Sequence, residues 1–155
     1  MQVRQQIIPA ETLSSAWAQL HAGAPFTVSA NEMHYLKATA VEIDDDVASL
    51  LLLKKLRLAR ESAARSMPDD VVVMNSILEF AFGGKERRCR LVHPSASNGK
   101  DCLSIASRLG AGLIALKGGQ MILWPDDDET LRPLHVLNVE KRGRAQSDEG
   151  VAMAD

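Results

Sequence analysis

One glycine pattern in the chain has the spacing of a dinucleotide-binding loop. Gly110, Gly112 and Ala115 follow a predicted strand, open a predicted helix and match G-x-G-x-x-G/A. In that motif the glycines let the backbone approach a pyrophosphate at a helix N-terminus. Here no acidic residue ends a strand about 20 residues later, and the neighbouring elements are predicted hairpins instead of βαβ units. The pattern therefore predicts small residues that let a helix lie close to a sheet.

Four carboxylates lie together at a predicted corner between two helices. They belong to Glu42, Asp44, Asp45 and Asp46. A carboxylate at the start of a helix accepts hydrogen bonds from free backbone N–H groups and interacts favourably with the helix dipole. The residues alone therefore favour capping of the second helix and solvation of an exposed corner.

The histidines and cysteines lack the spacing of a metal or nucleophile site. No HExxH pattern, histidine pair at i,i+4, Gly-x-Ser-x-Gly elbow or Walker-type loop is present in the sequence. The cysteines lie on separate predicted strands, and we interpret them as reduced thiols, with a redox pair or a metal site as alternatives. The residues concerned are His21, His34, His93, His135, Cys89 and Cys102. No catalytic residue, metal site or cofactor is predicted.

Composition limits the class of protein. The 155 residues are 46% hydrophobic and 25% charged, as in globular proteins. A net charge of -2 and few, scattered aromatic residues argue against direct nucleic-acid binding. No apolar run approaches the roughly 20 residues that cross a bilayer, and the N-terminus lacks a signal-peptide core. We therefore expect a cytoplasmic protein that binds neither membranes nor specific nucleic-acid sequences.

Residues 1–27 predict an N-terminal helical extension. Pro9 lies near the start of the helix, and Leu13, Trp17 and Leu20 recur at helical spacing. The apolar stripe that they form is short. It needs another surface to pack against.

Residues 28–67 predict a short antiparallel helix pair whose corner carries the four carboxylates. The second helix is predicted to run to about Arg65. Within it, Leu50–Leu53 makes one turn apolar on all sides, which a helix with a single buried face does not need. We expect the second side of this turn to be covered by Trp17 and Leu20, or by another subunit.

Residues 68–142 predict a domain of strands interrupted by one helix, which is typical of an α+β fold with an antiparallel sheet. The predicted strands are Ile77–Phe82, Lys85–His93, Cys102–Ala106, Gln120–Trp124 and Leu131–Val139, and the predicted helix is Arg108–Leu116. Residues 143–155 have little apolar content and predict a disordered tail.

Two stretches resemble a bacterial family. Pro68–Phe80 resembles the opening of the globular domain in the regulator of nucleoside diphosphate kinase (Rnk) family, small relatives of the Gre transcript-cleavage factors. Ser104–Ile114 resembles the C-terminal signature of Gre factors, with two serines three apart followed by aliphatic and small residues. Arg108 stands at a proline position of that signature, and Gly119-Gln120 stands where Gly-Asp or Gly-Glu is usual. The resemblance spans residues 28–140 and implies an FKBP-like domain preceded by an antiparallel helix pair.

The resemblance also implies a function. It predicts a non-enzymatic transcription regulator that binds RNA polymerase near the secondary channel through the globular domain. The residues it assigns to the partner contact are Ser104, Ser107, Arg108, Leu109 and Gly110. Two alternatives stay open: a regulator of nucleoside diphosphate kinase that does not act through polymerase, and a small-ligand binding module on the FKBP-like face.

A third alternative is a Gre-type transcript-cleavage factor. In Gre factors, acidic residues at the tip of a long helical hairpin enter the secondary channel and help to hold a catalytic Mg²⁺, for which carboxylate oxygens are suitable ligands. We call Glu42, Asp44, Asp45 and Asp46 the acidic tip. Under this alternative the resemblance implies that they help to hold Mg²⁺. At ~1.5 Å per residue the two predicted helices are only roughly 20 and 30 Å long. We therefore expect no stimulation of transcript cleavage.

Overall fold

The computed structural model describes residues 9–141, apart from 97, 98 and 100. Within these residues the helices are α1 (Ala10–Leu20), α2 (Ala30–Glu42), α3 (Asp46–Leu58) and α4 (Arg108–Leu113). The strands are β1 (Thr27–Ser29), β2 (Arg60–Ser62), β3 (Ile77–Phe82), β4 (Lys85–Val92), β5 (Cys102–Ser104), β6 (Met121–Pro125) and β7 (Leu131–Val139). The α+β prediction is confirmed. The predicted tail, 143–155, lies outside the described residues.

Helices α2, α3 and α4 each begin after a residue whose side chain caps the helix. The side chain of Ser29 accepts a hydrogen bond from the backbone N–H of Asn31 and caps α2. Three residues join α2 to α3, and the two helices pack against each other as a helical hairpin. In the described part of the chain, no helix is both long enough and apolar enough to cross a bilayer.

The second helix of the pair ends earlier than predicted. It stops at Leu58 instead of near Arg65, because Ala59 adopts an extended conformation and the next three residues form β2. This strand pairs in parallel with β1, with Thr27 opposite Arg60. The small β1–β2 ribbon therefore joins the start of α2 to the end of α3.

The main sheet has five strands in the order β5-β4-β3-β7-β6. The β3–β4 hairpin closes through Gly83 and Gly84, which have φ values of 62° and 80° and suit a two-residue turn. The prediction of a wholly antiparallel sheet was wrong at one pairing, because β5 runs parallel to β4. Cys102, the first residue of β5, lies opposite Arg90 of β4.

One hydrophobic core draws residues from all three predicted segments. Helix α1 packs against α3, and Trp17, Leu51 and Leu52 are fully buried in the same cluster. The expected covering of the leucine turn by the N-terminal helix is therefore confirmed for Trp17. It was wrong for Leu20, whose side chain points outward and is 62% exposed. The boundaries between the three segments stay a prediction.

Candidate functional site

The turn before α4 uses the hydroxyls of both signature serines. Ser107 caps the helix by accepting a hydrogen bond from the Gly110 N–H at 3.0 Å, and its hydroxyl donates to the Ser104 carbonyl at 2.6 Å. The Ser104 hydroxyl accepts from the Ala106 N–H at 3.0 Å. A Cβ on Gly110 would lie 2.0 Å from the Ser104 carbonyl oxygen, so only glycine fits. Ser104 and Ser107 therefore shape this turn through their hydroxyls, and Gly110 does so because it has no side chain.

Arg108, the first residue of α4, is directed towards the acidic tip. Its Nε donates to Oδ2 of Asp45 at 2.8 Å and its Nη2 to Oδ1 at 2.9 Å. Its Nη1 donates to the Asp126 carbonyl at 2.6 Å, and Nη2 lies 3.9 Å from a Glu129 carboxylate oxygen. The side chain is only 18% exposed. The arginine that stands at a proline position of the resembled signature therefore binds a carboxylate within the same chain.

Asp45 is the capping residue of α3 as well as the partner of Arg108. Its Oδ1 accepts from the backbone N–H groups of Val47 and Ala48 at 3.0 and 3.1 Å. Burial raises the pKa of Asp45, but the hydrogen bonds from Arg108 and from the helix N-terminus outweigh it and hold that pKa below its usual value. The Asp45 hydrogen bond raises the pKa of Arg108. Both groups are therefore held in their charged forms.

The remaining carboxylates of the acidic tip face solvent. Glu42, Asp44 and Asp46 are exposed. Among the described residues, no group of three or more His, Cys, Asp or Glu side chains is placed to hold a metal ion. The structure thus brings one carboxylate of the tip to the signature helix and leaves the other three in water.

Lys55 is a site residue that sequence reasoning missed. It is fully buried, and its Nζ donates to the carbonyls of Ala111, Gly112 and Ile114 at 2.7, 2.7 and 2.8 Å. Burial lowers its pKa well below the usual value. The ammonium also lies 5.1 Å from the centroid of the Trp124 ring. The signal available in the sequence is that Lys54 and Lys55 directly follow four leucines.

Helix α3 therefore holds α4 at both ends. Asp45, at its N-terminus, binds the side chain of the first residue of α4, and Lys55, towards its C-terminus, binds the last carbonyls. A third contact fixes the start of α4 to the sheet, because Trp124 Nε1 donates to the Arg108 carbonyl at 2.8 Å. Helix α4 is thus anchored both to α3 and to the sheet.

A groove of about 430 Å³ lies beside the first turn of α4. Its lining, which we call the α4 groove, consists of Phe80, Phe82, Lys85, Arg87, Arg108, Leu109, Pro125, Asp126 and Asp127. Arg87 lies over the Phe80 ring at 5.8 Å. Lys85 and Arg87 are exposed and form no ion pair within the described residues. The groove therefore offers apolar surface with free positive charge on the strand side and the carboxylates of Asp126 and Asp127 on the side of the β6–β7 turn.

Comparison with known proteins gives relatives in sequence and in fold. The chain is 32% identical over 97 residues to the regulator of nucleoside diphosphate kinase of Escherichia coli (strain K12), covering 61% of this chain and 71% of the relative. The protein of the same name from Shigella flexneri gives the same values. A prokaryotic transcription elongation factor GreA/GreB structure from Nitrosomonas europaea aligns with a TM-score of 0.58 at 22% identity, over 74% of this chain and 97% of that one. No family model matches the chain.

Proposed function

Because this chain belongs to the family of the regulator of nucleoside diphosphate kinase and has a fold similar to that of a Gre-type elongation factor, we propose that it is a transcription regulator that binds RNA polymerase near the secondary channel. It acts by occupying that position and does not catalyse transcript cleavage. The sheet and α4 form an FKBP-like domain that carries the contact.

The observation that carries this proposal is the ion pair between Asp45 and Arg108. Mg²⁺ requires free carboxylate oxygens at about 2.1 Å. Both oxygens of Asp45 already accept hydrogen bonds from Arg108, and Oδ1 also accepts one from the backbone N–H of Val47 in α3. Helices α2 and α3 have 13 residues each, about 20 Å, and they share the core of the domain. The tip is thus held against the domain instead of projecting from it as a catalytic arm.

The polymerase contact lies on the α4 groove. Of the five residues that the sequence assigned to the contact, Arg108 and Leu109 line this groove. Ser104, Ser107 and Gly110 contribute indirectly, because they set the turn from which α4 starts. Lys85 and Arg87 give the groove its free positive charge, which suits an apolar partner surface that carries carboxylates.

Binding of the full-length protein to purified bacterial core RNA polymerase tests this proposal. We expect Arg87→Glu to weaken binding by roughly tenfold, since it places like charges at a contact that requires opposite ones. Arg65→Glu makes the same charge change at an exposed position outside the groove and should leave the affinity unchanged. Absence of binding by the wild-type protein, or equal loss in both variants, would contradict the proposal.

A second candidate function comes from the name of the curated relatives. In that case the chain regulates nucleoside diphosphate kinase without using polymerase. Kinase activity measured with and without an excess of the full-length protein separates the two. A changed kinase rate together with no polymerase binding would favour the second function.

A further inference from the structure

The N-terminal helix covers an open edge of the sheet. Strand β6 ends the strand order and has a sheet neighbour, β7, on one side. Backbone groups on the other side of such a strand are ready to pair with another chain. Leu123, in the middle of β6, bonds to α1 and to the residue that ends it through both of its backbone groups: Trp17 Nε1 donates to its carbonyl at 2.6 Å, and its N–H donates to Nε2 of His21, the C-cap residue, at 3.1 Å. Two side chains one helical turn apart therefore take the place of a neighbouring strand.

These contacts fix the protonation state of His21. Its Nδ1 lies 2.8 Å from the Trp17 carbonyl oxygen, which can only accept, so Nδ1 carries the hydrogen. The Leu123 N–H can only donate, so Nε2 must be unprotonated. The ring is 8% exposed and stacks on Trp17 with a centroid distance of 4.3 Å. The joint between α1 and β6 thus requires a neutral histidine with one defined tautomer.

Protonation of His21 destabilises the contact between α1 and β6 in two ways. A hydrogen on Nε2 would face the Leu123 N–H, so a donor would meet a donor. The charged ring would also be buried near Lys55 of α3, the charged group that acts on His21 within the described residues. Residues 22–26 and β6, which flank the ring, contain no titratable side chain. Burial lowers the pKa of His21, Lys55 lowers it further, and the Trp17 carbonyl partly offsets both.

We propose that His21 is a pH-sensitive latch: neutral His21 holds the end of α1 over the edge of β6, and its protonation shifts the equilibrium towards release of α1. Release uncovers the outward N–H and carbonyl of Leu123. The histidine of the open state titrates near its ordinary pKa of 6.5, and that of the closed state titrates lower. The open state therefore takes up the proton first, and the closed state loses stability as the pH falls below 6.5 towards the lower value.

Amide hydrogen exchange of the full-length protein tests the latch. Protection of the Leu123 amide, corrected for intrinsic exchange, should fall between about pH 7.5 and about pH 5.5, by at most roughly tenfold, because each pH unit between the open-state pKa and the lower closed-state pKa is worth a factor of ten. The Val136 amide, which bonds to Gln120 within the sheet, should keep its protection. His21→Gln should abolish the pH dependence at Leu123, and His135→Gln should preserve it. An unchanged wild-type protection, or the same pH dependence in His21→Gln, overturns the proposal.

Nitrogen NMR of the wild-type imidazole gives a test that needs no variant to fold. We expect the Nδ1–H tautomer for His21 and a pKa below 6.5. The Trp17 indole N–H signal should shift with the same midpoint. An Nε2–H tautomer, or a pKa at or above the ordinary value, would overturn the latch.

Discussion

Asp45 accepts hydrogen bonds from the start of α3 and from the guanidinium of Arg108. The sequence predicted the first of these contacts, because aspartates before a helix act as caps. It could not predict the second, since the two residues are 63 positions apart and only the packing of α3 beside α4 brings them together. The acidic tip and the signature corner were therefore predicted as two separate sites.

Variants of Asp45 separate its two contacts. Asp45→Ala removes the cap and the ion pair and should lower the free energy of unfolding by about 1–3 kcal/mol. Asp45→Asn keeps most of the capping, since Asn caps about as well as Asp. Its free energy of unfolding should therefore fall clearly less than that of Asp45→Ala. Urea unfolding of the full-length protein measures both, with exposed Asp46→Asn as the control. If Asp45→Ala and Asp46→Asn had equal free energies of unfolding, the cap and the ion pair of Asp45 would not stabilise the protein.

The stability difference between wild type and Asp45→Asn should depend on pH. Because the folded state lowers the pKa of Asp45, its contribution to stability is present above the ordinary value of 3.8 and is lost as the pH falls through the lower, folded value. Unfolding free energies measured from neutral pH to acid should therefore converge for wild type and Asp45→Asn. A constant difference across the whole range would contradict the assignment.

Local patterns predicted the hairpins and the starts of α1 and α4. The turn at Gly83-Gly84 and the alternation of buried Cys89 with exposed Arg88 are read directly from neighbouring residues. The early end of α3 was missed because it depends on the pairing of β2 with a distant strand, and the parallel β4–β5 pairing was missed because no local pattern specifies the direction of β5. Lys55 was missed for the same reason: its three acceptors lie more than 50 positions away.

Lys55 should be essential to the position of α4. Lys55→Met keeps the length of the side chain but removes the donor to three buried carbonyls, so we expect a loss of about 2–5 kcal/mol in unfolding free energy. Protection of the Ile114 amide, which bonds to Gly110 within α4, should fall as well. Lys54→Met, at the neighbouring half-buried position, is the matched control and should change little. Full stability of Lys55→Met would mean that the lysine does not anchor the helix.

The helical hairpin, the N-terminal helix and the sheet share one core. This arrangement places the acidic tip beside the α4 groove, where Asp45 is paired with an arginine that lines that groove. In our account the hairpin supports the surface that binds polymerase. In the proposed function it does not extend a catalytic group into the enzyme.

Transcript cleavage in backtracked RNA polymerase complexes tests this account most directly. The release of 3′ RNA fragments is measured in the presence of Mg²⁺ with and without an excess of the full-length protein, and again with a Gre cleavage factor added. We predict no stimulation by the protein alone and a dose-dependent slowing of Gre-stimulated cleavage, weaker with Arg87→Glu, since both factors would occupy one position. Stimulation by the wild-type protein that disappears when Asp44, Asp45 and Asp46 are changed together to Asn would contradict the account.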